Sequence, residues 1–113
     1  MLSKGDIVTA VLPGNYGKPR PAVIVQADPY AETHASLTVC PFTTHLTGLR
    51  FFRIAVAPDQ NNGLAQPSEV MVDKIGSIGR DRIGNRIGRL SPTDKRAIDE
   101  ALYRWLGLDD LGN

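Results

Sequence analysis

Arg20 is the residue of this chain whose setting best suits chemistry on a charged ligand. It stands between Pro19 and Pro21, directly before the apolar run at residues 22–25. The prolines restrict the backbone on both sides, so the guanidinium leaves the start of a strand at a fixed place. There it could bind a phosphate bidentately and stabilise negative charge that develops on it. By residue type alone, a surface arginine in an ordinary salt bridge is the commoner case.

Hydroxyl and imidazole groups follow the third apolar segment of the chain. Thr43 and Thr44 come directly after the run CPF, where hydroxyls at a strand end can face a groove and bond a phosphate or a ribose. His45 is next, and histidine can bind phosphate or transfer protons near neutral pH. A plain strand-end threonine pair and an exposed loop histidine fit the same residues.

Asp73 interrupts an apolar segment at residues 69–75, EVMVDKI. An acid there is a solvent-facing strand residue, a partner for an arginine, or a base. The first two options are favoured unless Arg20 lies nearby. Glu69, at the start of the same segment, is interpreted as a plain charge on an edge strand.

The sequence lacks the common signatures of metal and cofactor enzymes. There is no phosphate-binding glycine loop of the Walker or dinucleotide type and no GxSxG elbow. His34 and His45 are far apart in the chain without a carboxylate cluster beside either. The single cysteine, Cys40, excludes an intrachain disulfide and a four-cysteine metal site. We therefore predict neither a metal site nor a cofactor.

Charge is distributed unevenly along the chain. The whole protein has a formal net charge of only +1. Residues 80–96 nevertheless hold six basic side chains against two acidic ones, whereas residues 97–113 are acidic. A local basic segment on a nearly neutral protein predicts a specific anionic ligand rather than general binding to polyanions.

Composition predicts one folded domain spanning residues 1–113. Hydrophobic residues make up 42% of the chain and charged residues 22%, which excludes a disordered protein. The apolar runs are too short to span a bilayer, and residues 1–10 do not resemble a secretory signal. With a single cysteine, these features predict a cytoplasmic protein without a membrane contact.

The elements that must position these side chains are short strands followed by one helix. Apolar and β-branched runs predict strands at 6–12, 21–28, 36–42, 50–56 and 69–75, with shorter pieces near 77–78 and 86–90. Residues 29–35 and 58–68 are interpreted as loops. The helix begins after an N-cap at Ser91, buries a stripe that includes Ile98 and Trp105, and ends at Gly107. This order predicts a small antiparallel barrel or curled sheet with a helix packed on it.

The motifs and their order together resemble the MazF/PemK family, the toxin halves of toxin–antitoxin pairs. The resemblance covers nearly the whole chain. It rests on KGDIV at 4–8, KPRPAVIVQ at 18–26, LTVCPFTT at 37–44, PSEVMVDKIGSI at 67–78 and RIGRLS at 86–91.

The resemblance implies a mainly β (α+β) fold: a small SH3-like, curled antiparallel β-barrel with a C-terminal helix, assembled as a homodimer. It implies a metal-independent endoribonuclease that cleaves single-stranded RNA, usually mRNA, at short sequences. The ribose 2′-hydroxyl attacks the adjacent phosphate and leaves a 2′,3′-cyclic phosphate and a 5′-hydroxyl. It also implies no cofactor, and a cognate antitoxin as protein partner.

The resemblance further implies roles for individual residues. Arg20 would stabilise the charged phosphorane, Thr43 would contact the phosphate or ribose, and Asp73 would act as a base or orient Arg20. Two family features are absent: the acidic or histidine-bearing stretch in the first loop, and an arginine where this chain has Met71. We assign RNA contacts to Thr44, His45, Lys18, Arg80, Arg82 and Arg86.

Two other functions compete with RNA cleavage. CcdB-like toxins share the fold and bind DNA gyrase through a tryptophan next to their last residues, whereas Trp105 here is followed by eight more. The third candidate, a non-catalytic SH3-like binding module, normally needs a cluster of exposed aromatic side chains. Aromatic residues make up only 6% of this chain.

Overall fold

The computed structural model describes residues 1–14 and 16–110, in which seven strands and two α-helices alternate with short turns. The strands are β1 Asp6–Val11, β2 Pro19–Ile24, β3 Ser36–Thr43, β4 Arg53–Val56, β5 Ser68–Met71, β6 Gly76–Gly79 and β7 Ile83–Arg89. The helices are α1 Asp28–Thr33 and α2 Pro92–Trp105, and 3₁₀ turns cover Val72–Lys74, Arg80–Arg82 and Leu108–Asp110.

Strand β3 is the centre of an antiparallel sheet. The strands run in the order β4-β5-β3-β2-β1-β7, and β6 pairs with β3 as well. With eight residues, β3 is long enough to pair with β6 along its first half and with β5 at its last two residues. The mainly β fold with a C-terminal helix is confirmed. Of the two predicted forms, barrel or curled sheet, the structure has the curled sheet: within the described residues β4 and β7 remain edges, so the sheet does not close.

Alternation along the strands builds the core on both faces of the sheet. Ile7, Val23 and Cys40 point to one face, where they pack in a cluster with Ile98 of α2. Their neighbours along the strands point to the opposite face, where Val8 joins a second cluster. Because successive side chains of a strand alternate between faces, strands that are apolar at every position need cover on both sides.

Helix α2 follows the prediction in its cap and in its buried Ile98, but Trp105, which was predicted to lie in the buried stripe, is 47% exposed. The Ser91 hydroxyl accepts a hydrogen bond from the Asp94 N–H at 3.1 Å, which caps the first turn. Ile98 and Ala101 are buried on its inner face. The helix ends at Trp105, two residues before Gly107, whose φ of 72° suits a residue without a side chain.

Two predicted elements were wrong. The polar connection at 29–35 contains most of helix α1, where Pro29 occupies the first turn and Ala31 is buried against the sheet. The predicted strand at 69–75 ends at Met71 and continues as the 3₁₀ turn. That turn is closed by the Ile75 N–H, which donates to the Val72 carbonyl at 3.1 Å. Asp73 therefore lies in a turn and does not interrupt a strand.

Loop 58–63 is fixed by one buried side chain. The Asn62 amide oxygen accepts from the N–H groups of Asp59 at 3.2 Å and Leu64 at 3.0 Å, and its nitrogen donates to the Ala57 carbonyl at 2.8 Å. A side chain on Gly63 would collide with the Ile87 carbonyl, so the loop lies directly on β7.

No helix within the part of the chain that the structure describes is long and apolar enough to cross a membrane.

Candidate functional site

A groove of about 650 Å³ opens where the start of β2, the end of β3 and strand β5 lie side by side. Residues of each of these strands, and of the segments that follow β3 and β5, line the groove. The polar residues along it are Arg20, Thr43, Thr44, His45, Ser68, Lys74 and Ser77. Four of the predicted site residues, Arg20, Thr43, Thr44 and His45, are thus brought together by the fold.

Strand register explains why residues distant in sequence meet in this groove. Ala22 pairs with Pro41 and Val23 with Cys40 in the antiparallel β2–β3 ladder. Extending that register by two residues places Arg20 opposite Thr43. On the other side of β3, Thr43 pairs directly with Glu69 of β5. Paired residues of an antiparallel ladder point to the same face, so this row crosses three strands on one face.

The segment after β3 begins with a local hydrogen bond. The His45 N–H donates to the Thr43 hydroxyl oxygen at 3.1 Å. Thr43 is half-buried, while Thr44, His45 and Arg20 are exposed to solvent. The turn leaves the Thr43 hydroxyl hydrogen free for a ligand, because the backbone bond uses only an oxygen lone pair.

Asp73 does not lie with the groove residues. The Arg53 guanidinium binds the Asp73 carboxylate through two hydrogen bonds, from Nε at 2.8 Å and from Nη2 at 3.1 Å. These bonds keep the pKa of Asp73 below its usual value despite the opposing effect of burial. Asp73 is absent from the lining of the groove. The prediction that Asp73 orients Arg20 is wrong in this structure, since its partner is Arg53.

Glu69 is more than the plain edge charge that the sequence indicated. Only 3% of the residue is exposed. Its carboxylate accepts hydrogen bonds from the N–H of Thr47 at 3.0 Å, the N–H of Gly48 at 2.9 Å and the Thr47 hydroxyl at 2.9 Å. Burial alone would raise the pKa of Glu69, but these bonds and the charge of Arg53 outweigh it, and the pKa is lowered.

Sequence reasoning also missed Lys74 and Ser68, which line the groove. Lys74 is exposed at the end of the 3₁₀ turn, and Ser68 is buried at the start of β5. The only signal for Lys74 in the sequence was its place beside Asp73. Its side chain reaches the groove because the strand stops at Met71 and the backbone turns.

The four basic residues predicted to contact RNA lie outside the groove. Arg80 donates from Nε and Nη2 to the His34 carbonyl at 3.0 and 2.8 Å, and from Nη2 to the Ala31 carbonyl at 2.5 Å. It thus satisfies free carbonyls at the end of α1, a structural role. Arg86 lies 3.9 Å from the buried carboxylate of Asp6. Arg82 and Lys18 are exposed. None of these four lines the groove.

The charge of the groove suits an anion. Among its lining residues in the described part of the chain, Arg20 and Lys74 are cationic, His45 adds an imidazole, and there is no carboxylate. Within residues 1–14 and 16–110, no three His, Cys, Asp or Glu residues are grouped so that they could hold a metal ion. The arrangement can therefore bind a phosphate and donate hydrogen bonds to its oxygens.

Comparisons with known proteins point to one family. The family model described as PemK-like, MazF-like toxin of type II toxin-antitoxin system matches residues 3–106. A curated relative from Mycolicibacterium smegmatis, "Probable endoribonuclease MazF", is 43% identical over 95% of this chain and 98% of its own length. The solved structure of Mycobacterium tuberculosis toxin MazF-mt6 is 31% identical, with a TM-score of 0.77 over 90% of this chain and 96% of that one.

A second solved structure shows the fold at lower sequence identity. It is an endoribonuclease in complex with its cognate antitoxin from a mycobacterial species. It superposes with a TM-score of 0.80 at 23% identity and covers 96% of this chain and 97% of that chain.

Proposed function

Because the chain belongs to the PemK-like, MazF-like toxin family of type II toxin–antitoxin systems, we propose that it is an endoribonuclease that cleaves single-stranded RNA in the groove of Arg20 and Thr43. The observation that carries this proposal is the meeting of Arg20, Thr43, Thr44 and His45 in one cationic groove without a carboxylate. A phosphodiester is the anion that such a set of donors fits.

The proposed reaction uses a nucleophile that belongs to the substrate. The ribose 2′-hydroxyl attacks the adjacent phosphorus, so that an O2′–P bond forms and the P–O5′ bond breaks. The products are a 2′,3′-cyclic phosphate and a 5′-hydroxyl. Arg20 stabilises the charge that builds on the non-bridging oxygens, and the Thr43 hydroxyl donates to one of them. DNA has no 2′-hydroxyl and would bind without being cut.

The reaction also moves one proton away from O2′ and delivers one to O5′. His45 is the groove-lining side chain of a type that exchanges protons near neutral pH. Lys74 carries a second positive charge along the same lining. We assign proton transfer to His45 and phosphate binding to Lys74. Asp73 has no part in this scheme, since its carboxylate is bound by Arg53.

The two competing functions are not favoured. The family that matches the chain is the PemK-like and MazF-like one. Trp105, the residue that suggested a gyrase-binding toxin, packs on Phe52 with ring centroids 5.5 Å apart. A non-catalytic binding module would not require the arginine, threonine and histidine that meet in this groove.

A homodimer and a cognate antitoxin complete the proposed assembly. Membership in a toxin–antitoxin family supports an antitoxin as partner. We propose that an acidic segment of the antitoxin covers the groove and competes with RNA for Arg20. The exposed apolar side chains of α2, Tyr103 and Trp105 among them, support an assembly larger than one chain.

Comparison of Arg20→Ala with the unaltered protein on a mixed RNA tests the function. The protein should generate 5′-hydroxyl ends, and the variant should cut at least about a hundredfold more slowly, the usual effect of removing one donor to a developing oxyanion. Arg96→Ala, which removes an exposed arginine of α2 outside the groove, is the matched control and should cut normally. Wild-type cutting by Arg20→Ala would contradict the proposal.

A further inference from the structure

The Glu69 carboxylate is a buried charge that the proposed reaction does not use. It lies on β5 and binds three donors, all supplied by Thr47 and Gly48 in the segment that follows β3. Its Oε2 accepts both backbone N–H groups, and its Oε1 accepts the Thr47 hydroxyl. Burying a carboxylate is costly unless each oxygen is paired, so a plain structural position would normally hold an apolar residue.

These bonds close a short segment onto the edge of the groove. The segment at residues 44–48 leaves β3 after Thr43, and Thr43 itself pairs with Glu69 across the ladder. The segment therefore starts beside Glu69 and is bound to it again four residues later. Thr44 and His45 lie between these two points, and both line the groove.

We propose that Glu69 is a positioning residue for RNA cleavage: it accepts hydrogen bonds from the segment at 44–48 and thereby fixes Thr43 and His45 relative to the scissile phosphate. This inference rests on the proposed function. Glu69 acts as a hydrogen-bond acceptor and touches neither substrate nor reacting atoms. A displacement of about 1 Å in such a group is enough to reduce a rate roughly a hundredfold.

To fill the proposed role, the side chain at position 69 must accept hydrogen bonds. In Glu69→Gln, the amide oxygen takes the place of Oε2 and accepts both N–H groups, while the amide nitrogen donates to the Thr47 hydroxyl oxygen. That oxygen already accepts from the Leu49 N–H at 3.1 Å and has a second lone pair available. Glu69→Met has a similar length and offers no such acceptor, so it leaves the two N–H groups unpaired.

The two variants are compared in steady-state cleavage of RNA, with thermal unfolding as the measure of fold. Glu69→Gln should keep kcat/KM within about threefold of the wild type, because it keeps the bonds. Glu69→Met should lose roughly tenfold to a hundredfold, mainly in kcat, because Arg20 still binds the phosphate. Thr47→Val, which removes only the hydroxyl, should fall between them and replaces Glu69→Met if that variant fails to fold. Glu100→Met, at an exposed position of α2, is the control.

Two kinetic outcomes and one exchange outcome would overturn the inference. Equal loss of activity in Glu69→Gln and Glu69→Met would mean that cleavage needs the negative charge itself. Full activity in Glu69→Met or Thr47→Val would mean that cleavage does not need the hydrogen bonds. Amide hydrogen exchange at Thr47 and Gly48 separates this inference from the proposed function. Even if the protein cuts no RNA, slow exchange in the wild type and Glu69→Gln, with fast exchange in Glu69→Met, shows that Glu69 holds the segment. Unchanged exchange in Glu69→Met contradicts it.

Discussion

Thr43 connects three parts of the molecule through one side chain and one backbone position. Its backbone pairs with Glu69, its hydroxyl oxygen accepts the His45 N–H, and the β2–β3 register places it opposite Arg20. The His45 N–H occupies one lone pair of the Thr43 hydroxyl oxygen, so the hydroxyl hydrogen remains available to a ligand in the groove. A residue that looked like an ordinary strand-end threonine is therefore placed where the proposed reaction needs a donor to a phosphate.

Replacement of Thr43 by Val should reduce kcat/KM by about tenfold to a hundredfold, which corresponds to the loss of one hydrogen bond to a charged group. The loss should be smaller than that of Arg20→Ala, because the hydroxyl carries no charge. Cleavage rates on one RNA oligonucleotide measure both. Thr93→Val, in the exposed first turn of α2, should leave the rate unchanged. A loss for Thr43→Val that equals that of Arg20→Ala would contradict the assigned roles.

At the scale of elements, the periodicity of apolar residues predicted most of the sheet and helix α2, but it did not predict helix α1 or the turn at Val72–Lys74. Strands with apolar residues on both faces and a capped amphipathic helix leave clear patterns. Helix α1 has only six residues, too few to establish a helical period. The turn at Val72–Lys74 replaces a strand because its backbone bonds go to Phe52 and within the turn. Pairs such as Arg53 with Asp73 depend on tertiary register, which a single sequence does not reveal.

The Arg53–Asp73 pair gives the fold a defined dependence on pH. Since the pKa of Asp73 in the folded protein lies below its ordinary value of 3.8, the ionised form stabilises the fold above that pH. This stability is lost as the pH falls through the folded value. Asp73→Asn should lower the free energy of unfolding at pH 7 by about 1–3 kcal/mol, because Arg53 loses its charged partner and one of its two acceptors. The difference from the wild type should shrink between pH 5 and pH 3.

Urea unfolding at pH 7, 5 and 3 measures this difference. The variant should retain some dependence on pH, because the pKa of Glu69 is also lowered and acts with the same sign. Cleavage by Asp73→Asn at neutral pH should persist wherever the variant is folded. A difference in stability that stays constant from pH 7 to pH 3 would mean that ionisation of Asp73 does not stabilise the fold.

For the whole molecule, the position of Cys40 bears on the proposed dimer. Cys40 is fully buried in the core beside Val23 and Val70. Burial, with a smaller effect of Asp73, raises the pKa of its thiol to about 12. A thiol that is neither exposed nor ionised near neutral pH does not form a disulfide between two chains. The proposed dimer must therefore be held by noncovalent contacts.

Light scattering at micromolar concentration should give the mass of two chains, with and without a reducing agent. The dimer mass should persist in Cys40→Ala where that variant folds, although the cavity in the core will lower its stability by about 1–3 kcal/mol. A monomer under all conditions would contradict the proposed assembly. A dimer that dissociates on reduction would contradict the structural position of Cys40.

The proposed reaction in the groove of Arg20 and Thr43 takes its nucleophile from the substrate. It is tested most directly with an RNA oligonucleotide that the protein cuts at one mapped bond, compared with the same oligonucleotide carrying a single 2′-deoxyribose on the 5′ side of that bond. We expect the deoxy substrate to bind with similar affinity and not to be cut, while the unmodified RNA yields a 2′,3′-cyclic phosphate and a 5′-hydroxyl. Cleavage of the deoxy substrate at the mapped bond would contradict it.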